Sequence, residues 1–318
     1  MEQPYGAWAV QSAAEVRARD APLPRVRVVC FPSAGSGACL FHGWGAVLPP
    51  WAEVLPVELP GRNTRLRERM PVRGRVQPGG TIVARRSPSE CSPHPTQTEF
   101  DALIRDLVRD LAPTLCSGGV PYALVGHSFG AWVAYELARA LPAPPIAVYV
   151  CANRAPHLAG PEHDVDPQGA SLAALCDDPD AFWRRFEARY GRNPDLQSDA
   201  VRRFIMPLLR ADFTCLESYR GPPAGAAPLA CPLTATGARG DARYTPQQVR
   251  AWAQHTTGRF TERWEAPPPH AWATPHRFLA DAPARFQAFL AQDLQALLDA
   301  AQAEPAEQAT DSRSGATA

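Results

Sequence analysis

Residues 126–130 read Gly-His-Ser-Phe-Gly, which places a serine between two glycines at the spacing G-x-S-x-G. This segment follows the apolar run 122–126 and precedes a helical pattern that stops before Pro142. A serine on such a strand–turn–helix elbow is lifted out of the sheet and can attack a carbonyl group. Ser128 is therefore the predicted nucleophile. The backbone N–H of Phe129, at the start of the helix, is a predicted oxyanion donor.

A serine nucleophile needs a base and a carboxylate that orients the base. On strand–turn–helix hydrolases these groups follow in the chain order serine, acidic residue, histidine. Asp241 comes just after the apolar run 232–237, at the end of a predicted strand, where such sheets place functional groups. Thr245 and Pro246 are suited to begin the next helix, so Asp241 is not needed as a helix cap. Asp241 is therefore the predicted carboxylate.

The sequence offers more than one histidine as the base. His255 lies inside the helical run 246–257, which is the wrong place for it. His270 and His276 both follow the predicted strand 259–265. His270 comes directly after three prolines, whereas His276 stands just before the last helical pattern. Position along the chain leaves both candidates open.

These side chains need a sheet to position them, and the chain alternates strand-like and helix-like patterns. Short β-branched runs bounded by Gly or Pro are typical of buried parallel strands. These runs are 26–31, 54–59, 122–126, 146–151 and 232–237. Helical periodicity occurs at 98–112, 130–141 and 283–299. The alternation predicts an α/β fold with a mainly parallel central sheet flanked by helices.

The predicted α/β domain covers residues 23–302. Residues 1–22 are expected to form a flexible arm and residues 303–318 a disordered tail, because they have little to bury. The segment 73–97 is rich in Pro, Gly, Ser and Arg, has no sustained period and predicts a loop insertion. Residues 157–220 have helical patterns and no strand pattern, which predicts a helical lid inserted between two strands.

Composition and charge exclude several classes of protein. The 318 residues carry 32 Lys+Arg, all of them arginine, and 32 Asp+Glu, so the chain lacks the basic footprint of a nucleic-acid binder. It has no apolar run long enough to span a membrane and no signal-peptide pattern. The eight cysteines form no CxxC pair, and no histidine pairs with them at metal-ligand spacing. We expect a cytoplasmic protein without a metal site that binds neither nucleic acid nor membrane.

Further patterns occur in order along the chain. They are Phe-Pro-Ser-Ala-Gly at 31–35, Leu-Pro-Gly-Arg at 59–62, the serine elbow, Arg-Ala-Pro at 154–156, and Leu-Arg-Ala-Asp-Phe at 209–213 followed by Glu217 and Tyr219. Together they resemble the type II thioesterases, stand-alone α/β-hydrolases that accompany nonribosomal peptide synthetases and polyketide synthases. The resemblance extends from about Val26 to Leu298, and its first two motifs are the most discriminating.

The resemblance implies an α/β-hydrolase fold and a thioester hydrolase. Such enzymes remove acyl groups from the 4′-phosphopantetheine arm of acyl- or peptidyl-carrier proteins, for editing or for release, in antibiotic biosynthesis. It implies a Ser-His-Asp mechanism through an acyl-enzyme, without a cofactor, and makes the backbone N–H of Ala34 the second oxyanion donor. The lid is then expected to shape the acyl pocket, and we expect a monomer.

The chain departs from the family pattern in three places. The segment 73–97 is longer than usual, Ser33 replaces a larger residue, and the usual Gly-Gly-His is absent. Alignment from the preceding strand selects His270 as the base, whereas alignment from the following Phe-Leu and helix selects His276. We favour His276, because the Phe-Leu-helix context is more distinctive than a proline run.

Two other functions fit the same residues. A small-molecule carboxylesterase or lipase on this fold is the nearest alternative, and it predicts good turnover of oxyesters without preference for carrier-bound acyl groups. The second is a non-catalytic partner that binds acyl-carrier domains, which the displaced histidine region leaves open.

Overall fold

The computed structural model describes residues 24–70, 98–117, 119–269 and 274–314, with side chains as far as residue 303. The predicted arm at 1–22, the predicted insertion at 73–97 and the alternative base His270 lie outside the described residues.

Within the described residues, six strands form one sheet in the order β2-β1-β3-β4-β5-β6. The strands are β1 (Val26–Phe31), β2 (Ala52–Pro56), β3 (Tyr122–His127), β4 (Ala147–Cys151), β5 (Leu233–Ala238) and β6 (Phe260–Glu265). All neighbouring pairs are parallel. The chain moves outward from β1 to β2 and then in the opposite direction from β3 to β6, so the order reverses between β1 and β3. In open α/β sheets ligands bind outside the carboxyl ends of the strands at such a point.

Helices cover both faces of the sheet. They are α1 (Trp44–Val47), α2 (Glu99–Leu115), α3 (Phe129–Ala140), α4 (Pro179–Tyr190), α5 (Asp199–Ser218), α6 (Pro246–Arg250), α7 (Phe278–Asp281) and α8 (Ala284–Ser314). Side chains alternate along β1: Val29 and Phe31 pack in the cluster with α2 and α3, whereas Val28 and Cys30 pack with α8. Burial on both faces explains why these strands read as continuous apolar runs.

The chain between β4 and β5 is helical, as predicted for 157–220, and contains α4 and α5. We call residues 157–220 the inserted helical segment. It has an apolar cluster of its own, which includes Phe182, Leu209 and Phe213. The sequence predicts a break or kink at Pro207, and no break occurs, because α5 runs from Asp199 to Ser218. The apolar face of α5 continues past the proline to Leu209 and Phe213, and this packing stabilises the helix beyond its intrinsic preference.

The last helix is longer than the sequence predicts. Helical periodicity was expected to stop at 299 and disorder to begin at 303, but α8 continues to Ser314. Beyond residue 302 the chain has no apolar periodicity, and its Ala, Glu and Gln favour helix whereas Pro305 disfavours it. The segment extends a helix that is already formed, and adding residues to a formed helix costs less than nucleating a new one.

Candidate active site

Ser128 lies on the turn between β3 and α3, with a φ of 53°. A residue other than glycine rarely adopts this left-handed region, and the strain is typical of a functional position. The flanking glycines make the turn possible. A Cβ on Gly126 would lie 2.1 Å from the Gly130 carbonyl oxygen, and a Cβ on Gly130 would lie 2.2 Å from that of Phe31. Both glycines are therefore required for the close approach of strand and helix.

The three side chains predicted to react lie in one hydrogen-bonded row. His276 Nδ1 is 2.9 Å from Asp241 Oδ2, and His276 Nε2 is 3.0 Å from Ser128 Oγ. Because a carboxylate only accepts, Nδ1–H donates to Asp241 and leaves Nε2 free to take the hydroxyl proton. Ser128 and His276 are only 5% and 6% exposed. This is the arrangement in which a histidine can activate a serine.

Asp241 follows β5, at the carboxyl edge of the sheet. Its Oδ1 accepts a hydrogen bond from the backbone N–H of Arg243 at 2.9 Å. Burial by itself raises the pKa of the Asp241 carboxyl, but His276 and the Arg243 N–H outweigh it and hold the pKa below its usual value. Asp241 is therefore ionised at neutral pH and can stabilise a protonated His276.

His127 makes a hydrogen bond to the backbone of His276. The His127 Nε2–H donates to the backbone carbonyl of His276, with 2.8 Å between nitrogen and oxygen. Burial, together with the nearby His276, lowers the pKa of His127 to about 3. His127 is thus neutral near pH 7 and positions the loop of the base rather than acting as a second base.

Two tyrosines that sequence reasoning missed flank the same imidazole. The ring centroids of Tyr190 and Tyr244 lie 5.2 and 5.8 Å from that of His276. The Arg243 guanidinium lies over both tyrosine rings. Tyr190 is the last aromatic residue of a helical stripe, and Tyr244 comes three residues after Asp241. The place of Tyr244, close to Asp241 in the chain, could have suggested this contact, whereas Tyr190 reaches His276 only through the tertiary packing of the inserted helical segment.

The predicted oxyanion donors Ala34 and Phe129 are both free to bind. Ser36 N–H donates to the Ser33 carbonyl at 3.0 Å, and Gly35 has a φ of 76°, so residues 33–36 form a type II turn. In the described part of the chain, no acceptor takes the backbone N–H of Ala34 or of Phe129. Two unpaired N–H groups near a serine can stabilise an oxyanion.

These groups open into a pocket of about 270 Å³. Ser128, His276 and Ala34 line one side of the pocket. The lining residues that come from the inserted helical segment include Phe186, Ile205, Leu209 and Phe213. The pocket is therefore polar where bonds can break and apolar where the rest of a ligand would lie.

A buried cluster of charges ties the inserted helical segment to the sheet domain. The Asp164 carboxylate accepts hydrogen bonds from Arg243 at 2.9 and 3.2 Å. Arg154 and Arg189 approach the same carboxylate at 3.5 and 3.8 Å. Burial raises the pKa of Asp164, but Arg243 and its neighbours lower it well below its usual range. One ionised carboxylate thus joins three arginines from both parts of the molecule.

The described residues contain no group of three or more His, Cys, Asp or Glu side chains arranged to hold a metal ion. Across the same residues, every helix is too short or too polar to cross a membrane.

The family model for the thioesterase domain matches residues 71–264. Linear gramicidin dehydrogenase LgrE of Brevibacillus parabrevis is 31% identical over 244 residues, which cover 74% of this chain and 77% of that protein. Thioesterase PikA5 of Streptomyces venezuelae is 31% identical over 253 residues, which cover 78% of this chain and 75% of that protein.

Solved structures show the same similarity. The RedJ thioesterase from the prodiginine pathway of Streptomyces coelicolor has a TM-score of 0.60 at 31% identity and covers 87% of this chain and 95% of its own. The type II thioesterase BorB from the borrelidin cluster has a TM-score of 0.64 at 26% identity, with coverages of 90% and 97%. The name of LgrE states another activity, whereas the family model, PikA5, RedJ and BorB are all named thioesterases. The chain therefore belongs to the thioesterase family, has the α/β-hydrolase fold and is a thioester hydrolase.

Proposed function

We propose that this thioesterase removes acyl groups from the 4′-phosphopantetheine arm of acyl- or peptidyl-carrier proteins, with Ser128, His276 and Asp241 as its catalytic triad. The hydrogen-bonded row of these three side chains is the observation that supports the chemistry. The prodiginine and borrelidin systems named for RedJ and BorB support a biosynthetic substrate. One chain supplies every reacting group, so we expect a monomer, acting in the cytoplasm beside its synthase.

In the first half of the reaction, Ser128 Oγ attacks the thioester carbonyl while His276 Nε2 accepts the hydroxyl proton. Asp241 holds the Nδ1–H and stabilises the imidazolium. The oxyanion lies between the backbone N–H groups of Ala34 and Phe129. The intermediate collapses, His276 gives its proton to the pantetheine sulfur, and the free thiol leaves.

In the second half, a water molecule attacks the acyl-serine. His276 takes a proton from the water and returns it to Ser128 Oγ as the carboxylic acid leaves. The same two backbone N–H groups stabilise the second oxyanion. All the proton transfers use His276, so neither half requires a group beyond the protein and water.

The inserted helical segment is proposed to serve as the lid of this site. Its apolar residues line the same 270 Å³ pocket as Ser128. A larger groove of about 1270 Å³ adjoins the pocket and shares Gly35, Ser36 and Ile205 with it. We propose that the acyl group occupies the pocket and that the pantetheine arm lies in the groove.

The outer part of that groove suits an anionic partner. Arg203 and Phe204 both line it, and Phe204 is 76% exposed. In the described part of the chain, Arg203 has no acidic partner. The arm carries a phosphodiester, and carrier proteins are usually acidic, so an arginine beside an exposed aromatic ring is a suitable contact.

The decisive experiment compares the hydrolysis of acyl-phosphopantetheinyl carrier proteins with that of the matching free oxyesters. We expect faster hydrolysis of the carrier-bound thioesters, and loss of this activity in Ser128→Ala with folding retained. A preference for free oxyesters would instead identify a carboxylesterase. Binding of acyl-carriers without any turnover, together with a Ser128 that a fluorophosphonate does not label, would identify a non-catalytic partner.

A further inference from the structure

A buried carboxylate outside the triad touches the turn that carries Ala34. Asp212 lies on α5, and none of its surface is exposed. Its Oδ2 accepts a hydrogen bond from the backbone N–H of Gly35 at 2.7 Å. Its Oδ1 accepts from the guanidinium of Arg62, which is also buried. Burying a charged pair is costly unless further hydrogen bonds satisfy it, and here one of these bonds goes to the oxyanion turn.

The bond to Gly35 fixes the part of the turn that defines its type. In a type II turn the peptide between the two central residues, here Ala34 and Gly35, is flipped relative to a type I turn. The Gly35 N–H belongs to that peptide, so a carboxylate that accepts from it favours the flipped orientation. Asp212 therefore selects the backbone conformation around Ala34.

The same helix also packs against the turn. A Cβ built on Gly35 would lie 2.5 Å from Leu209 Cδ2, so α5 contacts the turn directly at this point. Leu209 and Asp212 are three residues apart, on one face of α5. The turn is thus held by an apolar contact and a charged hydrogen bond from a single helix of the inserted helical segment.

Arg62 provides the third anchor. It comes from the loop after β2, and its guanidinium joins Asp212 across 150 positions of sequence. Three segments that are remote in sequence therefore converge, namely the turn 33–36, the loop 59–62 and residues 209–213 of α5. All three belong to the motifs on which the family resemblance depends, but the triad mechanism uses only the first.

We propose that Asp212 is a positioning residue: by fixing the turn 33–36, it places the Ala34 N–H for the oxyanion, so that the oxyanion hole is complete only when α5 is seated. This inference rests on the proposed function of the Ser128 site. An oxyanion donor acts mainly in the transition state, so losing its position lowers kcat more than it raises KM. We expect a loss of kcat of about 10-fold to 100-fold, less than the loss of a donor itself.

The test must distinguish an effect of Asp212 on the position of the turn from an effect on the stability of the fold. Asp212→Ala leaves Arg62 buried without a partner and is expected to fold poorly. The double variant Arg62→Met/Asp212→Leu replaces the pair with apolar side chains, which proteins often tolerate, and still removes the acceptor of Gly35. Asp212→Asn keeps an oxygen that can accept from Gly35 and is expected to retain more activity than the double variant. The matched control Glu187→Gln breaks the Glu187–Arg202 pair between α4 and α5 without touching the turn.

The substrate is a small acyl thioester of N-acetylcysteamine, so that the result does not depend on a carrier protein. The double variant should lose kcat, and its affinity for a trifluoromethyl ketone analogue of the substrate should weaken in parallel with kcat/KM. A folded double variant with the kcat and analogue affinity of the native enzyme would overturn the inference. If the native enzyme hydrolyses no thioester at all, the proposed function fails instead, and that outcome is distinct.

Discussion

At the scale of single residues, the imidazole of His276 makes both contacts on which the proposed mechanism depends. The two ring nitrogens of His276 lie within hydrogen-bond distance of Asp241 and Ser128. The backbone carbonyl of His276 accepts a hydrogen bond from His127. Position along the chain left His270 and His276 both open, and His276 was favoured only because the Phe-Leu and helix that follow it match the family pattern. The choice depends on three-dimensional reach, which spacing along the chain does not report.

Substituting each histidine tests the assignment of the base. His276→Ala should lower kcat by about 10⁴-fold or more, because the serine then has no proton acceptor. His270→Ala is the matched variant and should keep near-native kcat. Steady-state hydrolysis of one acyl thioester by both variants provides the measurement, and the reverse pattern of losses would assign the base to His270.

At the scale of elements, the inserted helical segment is bound to the sheet domain by charges that periodicity does not reveal. Asp164 precedes α4, yet it binds Arg243 beyond β5 and lies near Arg154 beyond β4. The sequence predicted that this segment is helical, because aromatic residues recur at helical spacing. The sequence could not predict the Arg62–Asp212 pair, because the two residues are 150 positions apart and neither motif indicates which residue the other contacts.

Neutralising the shared carboxylate should loosen this connection. Asp164→Asn leaves three largely buried arginines without their common counter-charge, and we expect it to lower the free energy of unfolding by about 3–5 kcal/mol. Asp106→Asn, which breaks the exposed pair with Arg109 on α2, is the control and should cost less than about 1 kcal/mol. Chemical denaturation of both variants gives the two values. Equal, small losses would mean that Asp164 does not hold the segment.

A chain of three hydrogen-bonded rings, of which Tyr135 and His255 are buried, makes another such connection. His255 Nδ1 is 3.0 Å from Tyr135 Oη, on α3, and His255 Nε2 is 2.7 Å from His157 Nδ1, at the start of the inserted helical segment. Burial, with the nearby His157, lowers the pKa of His255 to about 4. The neutral form of this pair is therefore the one that the fold stabilises.

Acidification should weaken the fold through this chain. Between about pH 6.5 and 4 the unfolded state binds a proton at His255 and the folded state does not, so the free energy of unfolding falls as the pH falls. Denaturation at several pH values should show this slope, and His255→Gln should make it shallower. His42→Gln, at an exposed position, is the control. If the dependence of the free energy of unfolding on pH changed in His42→Gln but not in His255→Gln, the assignment to His255 would be wrong.

At the scale of the whole molecule, the net charge is zero, so the proposed recognition of an acidic carrier protein would depend on local arginines. Arg203→Glu should therefore raise KM for an acyl-carrier protein while leaving KM for the small thioester unchanged. Added salt should weaken the native enzyme's use of the carrier in the same selective way. Arg184→Glu, at an exposed position of α4 outside the groove, is the control. Equal effects of both substitutions would remove the case for docking at the groove.

Most of the fold could be predicted from the sequence. The apolar runs gave the positions of most strands, and the serine elbow is a local pattern whose glycines and serine are adjacent in the chain. Strand limits shifted by a few residues, most at β2, which begins at Ala52 rather than at 54. The extent of α8 beyond residue 302 could not be predicted, because apolar periodicity ends before it and Pro305 disfavours a helix.

The φ of Ser128 also has a consequence for the evolution of this chain. Its left-handed conformation costs on the order of 1–3 kcal/mol, more than the roughly 0.5–1 kcal/mol of entropy that a glycine there would cost. Ser128→Gly should therefore raise the melting temperature while abolishing hydrolysis, and calorimetry with an activity assay would show both. A lineage that is no longer selected for hydrolysis is therefore expected to lose Ser128 early, because the same substitution that removes the nucleophile also raises the stability of the fold.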